Sequence, residues 1–255
     1  MNDKPLILIT NDDGFHAPGI NALTEVALEF GDILKIAPDK PQSGMGHAIT
    51  INSTLRLEKM PNDGSYEAYQ CTGTPVDCVK IALDVILDRK PDLIVSGVNH
   101  GSNASINVIY SGTMSAAMEG YIEGIPSIGF SLLDHGVEAD FTAAKHFARE
   151  LIKTGLEHKD QNFCLNVNIP KLGVDLIKGV KYCTQAHAKW QEEFDRRQDP
   201  SGKDYFWLTG YFLPFDDHSE DTDLWALQNG YVSVVPITYD LTNHVDLKEM
   251  RTWTN

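Results

Sequence analysis

The segment LILITNDDG, residues 6–14, places four branched apolar residues directly before a Thr-Asn pair, two aspartates and a glycine. An unbroken apolar run of this kind is typical of a strand that is covered on both faces, as in a parallel α/β sheet. In such sheets, ligands bind beyond the carboxyl ends of the strands. The carboxylates of Asp12 and Asp13 would repel each other there, and a divalent cation that prefers oxygen ligands would relieve the repulsion. A solvated Asp-Asp-Gly turn is the alternative that this segment alone leaves open.

The composition limits the classes of protein to which the chain can belong. It has 255 residues, of which 42% are hydrophobic and 22% charged, and this suits a single globular domain with a large core. The formal net charge is −15, which argues against nucleic-acid polymers and anionic membrane surfaces as partners. An anionic substrate would need local positive charge, and a bound metal could supply it.

The cysteines and the termini bear on the compartment. No C-x-x-C pair or zinc-type spacing is present, so we interpret the cysteines as buried free thiols in a reducing compartment. They are Cys71, Cys78, Cys164 and Cys183. The N-terminus lacks the pattern of a secretory signal, and no apolar run approaches the ~20 residues of a membrane span. We therefore expect a cytoplasmic protein with no membrane partner.

Strand-like and helix-like segments alternate through the first half of the chain. This alternation predicts an α/β fold with a Rossmann-like, doubly wound, mostly parallel sheet. The predicted strands are 6–9, 33–37, 66–71, 93–97 and 127–130, and the alternation in 48–59 indicates a hairpin. The predicted helices are 20–30, 74–86, 111–122 and 141–152.

The second half is less regular, and we treat the chain as one α/β domain, 1–255, in two parts. Residues 1–170 form the predicted core that carries the site, and 171–255 form a β-rich C-terminal extension. We expect a strand at 164–169, at the end of the core, and within the extension a strand at 231–237 and a short helix at 247–253. We also expect 179–184 to pair with 205–209 around an exposed charged segment, 190–203.

Three further loops should reach the same edge of the sheet as Asp12 and Asp13. Ser43 lies in a turn after the second strand, and its hydroxyl could ligate a hard cation, although a Ser-Gly turn is the alternative. Asn99 follows a central strand and offers a neutral amide oxygen. His100, beside it, could act as a general acid or could be a solvated histidine.

The third loop, Ser111-Gly112-Thr113, stands directly before a predicted helix. Free backbone amides at a helix N-terminus and short hydroxyl donors form a phosphate cradle, and a simple N-cap is an alternative that does not exclude an anion. The oxygen ligands of the other loops suit magnesium or manganese rather than zinc. Together these features indicate metal-assisted hydrolysis of a phosphate ester.

At this point the motifs resemble those of the SurE family, the survival-protein nucleotidases also described as acid phosphatases. Any one motif is weak, but their joint order along nearly the whole chain is specific. The matching segments are TNDDG (10–14), PQSG (41–44), GTPVDCV (73–79), SGVN (96–99), YSGT (110–113) with AAMEG (116–120), and TDLWA (222–226) with GYVS (230–233).

The resemblance implies an enzyme, a 5'-nucleotidase that releases phosphate from nucleoside monophosphates. It implies one divalent metal ion, Mg²⁺ or Mn²⁺, and a homodimer or homotetramer with exchanged C-terminal elements. The implied metal ligands are Asp12, Asp13, Ser43 and Asn99; Asp12 and Asp13 are also the implied catalytic residues, and Asn11, Ser111, Gly112 and Thr113 the implied substrate-binding residues.

Two departures from the family pattern bear on substrate choice. His100 stands where many relatives have a small residue, and Ser105-Ile106-Asn107 stand where many have an acidic stretch.

The aromatic run 205–207 with 211–212 is more apolar than a small exposed hairpin should be, and such patches usually meet a partner.

Competing functions are weighed against the same residues. A haloacid-dehalogenase-type phosphatase would need two aspartates separated by one residue, whereas here they are adjacent. A dinucleotide oxidoreductase would need G-x-G-x-x-G after the first strand, which is missing. A non-catalytic regulatory domain that binds a phospho-ligand in the same crevice stays open as the alternative.

Overall fold

The computed structural model describes residues 4–62, 64–136, 138–215 and 219–253. The strands are β1 (Leu6–Thr10), β2 (Asp32–Pro38), β3 (Leu57–Lys59), β4 (Glu67–Cys71), β5 (Leu93–His100), β6 (Ser127–Leu132), β7 (Cys164–Ile169), β8 (Val180–Tyr182), β9 (Ala188–Gln198), β10 (Asp204–Pro214) and β11 (Val232–Pro236). The α-helices are α1 (Pro18–Ala27), α2 (Pro75–Ile81), α3 (Gly112–Ile122), α4 (Thr142–Glu157), α5 (Asp223–Gln228) and α6 (His244–Met250). Shorter helical turns lie at Ala82–Ile86, Ser105–Ile109 and Val174–Leu176.

A nine-stranded sheet forms the centre of the fold, in the order β3-β4-β2-β1-β5-β6-β7-β11-β8. Its six inner strands from β4 to β7 run parallel, while β3 and β11 pair antiparallel with their inner neighbours. From β1 the chain builds outward through β2 to β4 and then returns to β5 on the other side of β1. The point between β1 and β5 is therefore the switch point at which α/β sheets form a ligand crevice.

Helices cover both faces of the sheet, as the unbroken apolar strands predict. Helices α1 and α4 pack on one face, and α2 and α3 pack on the other. The side chains of Ile7, Leu8 and Ile9 are fully buried, because each face of β1 meets a helical layer. The predicted Rossmann-like, mostly parallel fold is confirmed.

Local signals explain where several helices begin. Thr74 accepts a hydrogen bond from the Asp77 amide at 3.1 Å, and the Asp77 carboxylate accepts one from the Thr74 amide at 2.9 Å. This capping box, with Pro75 at the first helical position, starts α2 at the residue that the sequence predicts. Asp77 also accepts from Thr50, and it thereby fixes the long loop after β2.

Two predictions about extended segments are wrong. The predicted hairpin at 48–59 contains only the short strand β3, because Thr50 and its neighbours bond to α2 instead of to a second strand. Segments 179–184 and 205–209 do not pair with each other. Instead β8 joins the main sheet beside β11, and β10 pairs with β9 over their full length.

The partner of β10 is set by a turn that the sequence analysis did not use. The Asp199 carboxylate accepts from the amides of Ser201 and Lys203 at 2.8 and 3.0 Å, which closes the Asp-Pro-Ser-Gly turn between the strands. The charged segment at 190–203 is exposed, as predicted, but most of it is strand β9. We refer to β9 and β10 together as the hairpin arm.

Two further findings concern the cysteines and membrane-spanning helices. The four cysteines are free and buried. Within the described ranges, no helix combines the length and apolarity that a membrane span requires.

Candidate active site

A pocket of about 740 Å³ opens at the switch point of the sheet. All four predicted metal ligands line it, together with Ser111 at the start of α3. Asp12 and Asp13 follow β1, Asn99 belongs to the end of β5, and Ser43 lies in the loop after β2. The fold thus brings together the residues that the sequence analysis predicted to meet.

Asp12 is the most enclosed of these residues, with 4% of its surface exposed. The hydroxyl of Thr113 donates a hydrogen bond to Asp12 Oδ1, and the backbone amide of Gly112 also contacts the carboxylate. Burial, assisted by the charge of Asp13, outweighs these hydrogen bonds and raises the pKa of Asp12 to about 6. A buried carboxylate pair of this kind is electrostatically unfavourable without a nearby cation.

Asp13 is less enclosed and faces β5. Its Oδ2 accepts a hydrogen bond from the backbone amide of His100 at 3.3 Å. Burial raises the pKa of Asp13, although the His100 amide and imidazole oppose the rise. Both carboxylates of the pair therefore resist ionisation for the same physical reason.

An irregularity in β5 directs Asn99 towards the pocket. The register of β5 against β6 shifts between Ser96 and Asn99, and Gly97 at this bulge has φ +121°. A Cβ at Gly97 would lie 2.3 Å from the Phe130 carbonyl oxygen, so only glycine fits there. Asn99 Nδ2 donates to the Gly101 carbonyl at 2.9 Å; this leaves the amide oxygen as the end available to a ligand.

Backbone hydrogen bonds hold the loop that carries Ser43 against the other two loops. The amide of Gln42 donates to the Asp12 carbonyl at 2.7 Å, and that of Gly46 donates to the Tyr110 carbonyl at 3.2 Å. Ser43 is therefore tied on one side to the Asp12 loop and on the other to the loop that leads into α3.

The loop before α3 is both a helix cap and part of the pocket wall. Ser111 Oγ accepts from the Met114 amide at 3.0 Å, and Ser111 lines the pocket. A Cβ at Gly112 would lie 2.7 Å from Asp12 Cβ, so glycine is what allows the helix start to lie against the carboxylate. The cap and the anion-binding interpretation are compatible here, as the sequence analysis allowed.

Three residues predicted to bind substrate lie around Asp12 and are not part of the described pocket lining. Gly112 contacts Asp12, and Thr113 is fully buried with its hydroxyl donating to Asp12. Asn11 is fully buried, and its Nδ2 donates to the Gly14 carbonyl at 3.0 Å, which shapes the turn. Their direct contact with substrate stays a prediction, because in this conformation Gly112 and Thr113 contact the Asp12 carboxylate and Asn11 holds the turn.

The donor set suits a hard divalent cation. Two carboxylates, a hydroxyl and an amide oxygen supply the ligands that Mg²⁺ and Mn²⁺ prefer. Among the residues that the structure describes, no three His, Cys, Asp or Glu side chains form a metal-ligating group. The predicted ligands contain only two such side chains, because Ser43 and Asn99 are neutral, so they would not form a group of that kind. A cation there would favour the charged forms of Asp12 and Asp13, whose pKa values are raised chiefly by burial.

Residues to which the sequence analysis gave no role in the site complete its surroundings. Glu119 of α3, 4% exposed, pairs with His47 Nε2 at 2.8 Å and with Lys80, and so anchors the end of the Ser43 loop. Trp190 and Phe212 of the hairpin arm line the pocket. Phe212 belongs to the aromatic run that the sequence analysis assigned to a partner contact, whereas Trp190 lies outside that run.

A doubly wound sheet with oxygen ligands converging at its switch point defines a class of α/β proteins suited to metal-dependent phosphate chemistry. The chain belongs to the SurE family: the family model described as survival protein SurE matches residues 7–192. The resemblance seen in the motifs is thereby confirmed.

Curated relatives and a solved structure agree with this assignment over nearly the whole chain. A protein of Flavobacterium johnsoniae named 5'-nucleotidase SurE is 58% identical over 254 residues, covering 99% of this chain and 98% of the relative. One of Christiangramia forsetii with the same name is also 58% identical, covering 98% and 97%. The crystal structure of the SurE protein from Aquifex aeolicus superposes with a TM-score of 0.81 at 38% identity and covers 98% of this chain and 100% of that one.

Proposed function

We propose that this chain is a metal-dependent 5'-nucleotidase, a phosphomonoesterase that hydrolyses nucleoside monophosphates to nucleoside and phosphate. The observation that carries the proposal is the convergence of Asp12, Asp13, Ser43 and Asn99 with the N-terminus of α3 on one pocket. The names of the relatives, which are 58% identical, support the substrate class.

The metal assignment rests on the chemistry of the donors. Asp12, Asp13, Ser43 and Asn99 would hold one Mg²⁺ or Mn²⁺ ion through oxygen atoms. When bound, such an ion neutralises phosphate charge and makes the attacking water more acidic.

The residues around the ion divide the remaining work. Asp12 and Asp13 are the candidates to accept the proton of the attacking water, because no other carboxylate in the described part of the chain lines the pocket. Ser111, at the N-terminus of α3, binds the phosphate oxygens, since this end of the helix favours negative charge. Gly112, Thr113 and Asn11 keep Asp12 and its turn in position beside the bound phosphate.

The same proposal covers assembly and location. The hairpin arm exposes large apolar side chains on both of its faces, among them Phe194, Phe206 and Trp207. Patches of this kind usually meet a partner, so we assign the arm to a homodimer or homotetramer interface in which C-terminal elements are exchanged. The expected location is the cytoplasm, in keeping with the free thiols.

A regulatory domain that binds a phospho-ligand without turnover is the competing function. Both functions predict that nucleotides bind in the pocket, so only turnover separates them. The carboxylate pair favours catalysis, because two anions beside a phosphate would weaken simple anion binding unless a metal is present.

The experiment is phosphate release from a panel of 5'- and 3'-nucleoside monophosphates, with Mg²⁺, with Mn²⁺ and with chelator. We expect release from 5'-monophosphates with metal and loss of release with chelator. Asp39→Asn is the matched control, because Asp39 is an exposed aspartate at the same edge of the sheet and does not line the pocket. Nucleotide binding without any phosphate release would favour the regulatory domain.

A further inference from the structure

The pocket with the carboxylates also has an aromatic wall that the hairpin arm provides. Trp190 of β9 and Phe212 of β10 are directly opposite each other in the register of the two strands, so their side chains lie on the same face of the arm. Their rings meet edge to face, with centroids 5.6 Å apart and an interplanar angle of 68°. Both residues line the same pocket as Asp12 and Asp13.

The indole of Trp190 is held by a hydrogen bond from its only donor. Trp190 Nε1 donates to Asn107 Oδ1 at 2.8 Å. This bond satisfies the indole N–H, and what the ring then offers the pocket is its apolar surface. Trp190 is 39% exposed, whereas Phe194, four residues further along β9 and on the same face, is 67% exposed. The indole is thus partly enclosed, and the next aromatic outward is not.

Buried hydrogen bonds anchor the root of the arm to the turn that carries Asn107. Ser105, at the start of that turn, donates through Oγ to the Ala186 carbonyl at 2.8 Å. The buried carboxylate of Asp223 accepts from the amides of Ser105 and Ala186 at 2.8 and 3.0 Å. Since Ala186 stands just before β9, these contacts fix the position of Trp190 relative to Asn107, and the wall is a built feature of the chain.

We propose that Trp190, oriented by Asn107 and backed by Phe212, is the surface on which the base of a nucleoside monophosphate stacks. The inference rests on the proposed function and deepens it by assigning the base subsite. One pocket then has two chemistries: oxygen ligands and a helix N-terminus for the phosphate, and an aromatic face for a planar base. Its volume of about 740 Å³ lies within the usual range for small-molecule sites, roughly 300–1,000 Å³.

The chemistry of stacking predicts what this subsite selects. Every base has a π-face, so an indole accepts them all, and the larger purine rings gain more contact than pyrimidines. The subsite therefore distinguishes nucleotides from phosphate esters that lack a base, and it favours purines moderately. Asn107 acts here as a positioning residue, since its amide oxygen holds the indole.

The test compares adenosine 5'-monophosphate with ribose 5-phosphate, the same ester without the base. We expect Trp190→Ala to lower the ratio of kcat/KM for the two substrates about tenfold, a typical loss for one base on one aromatic ring. Asn107→Ala should lower the same ratio by a smaller factor, and Trp190→Phe should keep most of it. The inhibition constant of adenosine, measured separately, should rise in Trp190→Ala by a similar factor.

Trp207→Ala is the matched control, because Trp207 lies on the other face of the same arm and outside the pocket lining. It should leave the ratio unchanged even if it alters assembly. An unchanged ratio and unchanged adenosine inhibition in Trp190→Ala, with a wild type that hydrolyses the nucleotide, would overturn the base subsite alone.

A wild type that hydrolyses neither ester would instead contradict the proposed function. The base subsite is then decided by calorimetric binding of adenosine 5'-monophosphate. Weaker binding by Trp190→Ala supports the subsite, and equal binding overturns it.

Discussion

The hydroxyl of Thr113 donates a hydrogen bond to Oδ1 of Asp12 and thereby joins the first turn of α3 to the end of β1. Both residues are buried. The contact helps to orient the Asp12 carboxylate, as hydrogen-bond partners behind metal-ligating carboxylates commonly do.

We expect Thr113→Val to weaken the binding of Mn²⁺ by about 10–100-fold, because the orienting donor is lost while the shape of the side chain is kept. Turnover at saturating metal should fall less than turnover at limiting metal. The measurement is a Mn²⁺ titration by calorimetry with parallel phosphate release. Thr24→Val is the control, since Thr24 is also buried and donates within its own helix to Ile20 at 2.7 Å. Equal metal affinity in all three proteins would remove Thr113 from this role.

Gly112→Ala should reduce both stability and metal affinity. The added methyl would lie 2.7 Å from Asp12 Cβ, so α3 or the carboxylate has to move, at a cost of about 1–3 kcal/mol in the free energy of unfolding. Urea unfolding and Mn²⁺ titration check the two effects. Gly173→Ala is the matched control, because a methyl there meets no atom within 4 Å in the described structure. A stable Gly112→Ala variant with normal metal binding would contradict the close-approach argument.

The stabilising contribution of Asp92 should depend on pH in a defined window. Partial burial opposes its ionisation, but hydrogen bonds from Lys159, the Leu6 amide and Arg89 outweigh that effect and lower the pKa to about 2. A group whose pKa is lower in the folded state stabilises the protein above its unfolded-state pKa, and this stability is lost as pH falls towards the folded-state value.

We therefore expect Asp92→Asn to lower the free energy of unfolding by about 1–2 kcal/mol at pH 7, a difference that shrinks from about pH 4 downwards. Urea unfolding between pH 3 and 7 measures the trend. The exposed residue Asp88 provides the control variant, Asp88→Asn, which should change stability little at any pH in this range. A difference between Asp92→Asn and wild type that grows as the pH falls has the wrong sign for this account.

The hairpin arm should mediate assembly. Phe194 and Phe206 lie on one exposed face of the arm, 67% and 57% exposed, and burying them against a second copy would remove that apolar surface from water. Sedimentation equilibrium at low micromolar concentration should therefore give a dimer or tetramer, and Phe194→Lys with Phe206→Lys should shift it towards the monomer. A wild type that is monomeric at 28.3 kDa and active would refute this interface.

The sequence allowed the core of the fold and the location of the site to be predicted, because both depend on local patterns. Apolar runs such as 6–9 and 93–97 define strands covered on both faces, and the polar residues that follow them must share one edge of the sheet. That rule predicted that Asp12, Asp13, Ser43 and Asn99 would line one pocket, as the structure finds.

The orientation of individual side chains could not be predicted, because it depends on contacts between distant segments. Thr113 faces Asp12, 101 positions earlier in the chain, and no spacing within the sequence indicates that contact. Trp190 reaches the pocket through the register of the hairpin arm. The segment 205–209 was predicted to be extended, but its pairing with β9 was missed. Both faces of the arm are exposed, so its strands lack the one-sided alternation that identifies a half-buried strand.

The most direct test of the account is phosphate release from a nucleoside 5'-monophosphate by metal-stripped protein to which Mn²⁺ is added back, for wild type and Asp13→Asn, with Asp39→Asn as control. We predict no release without metal, recovery in wild type and control with one ion bound per chain, and no recovery in Asp13→Asn although it remains folded. Full turnover by the stripped wild type, or by Asp13→Asn, would contradict the claim that these oxygen ligands hold a catalytic metal.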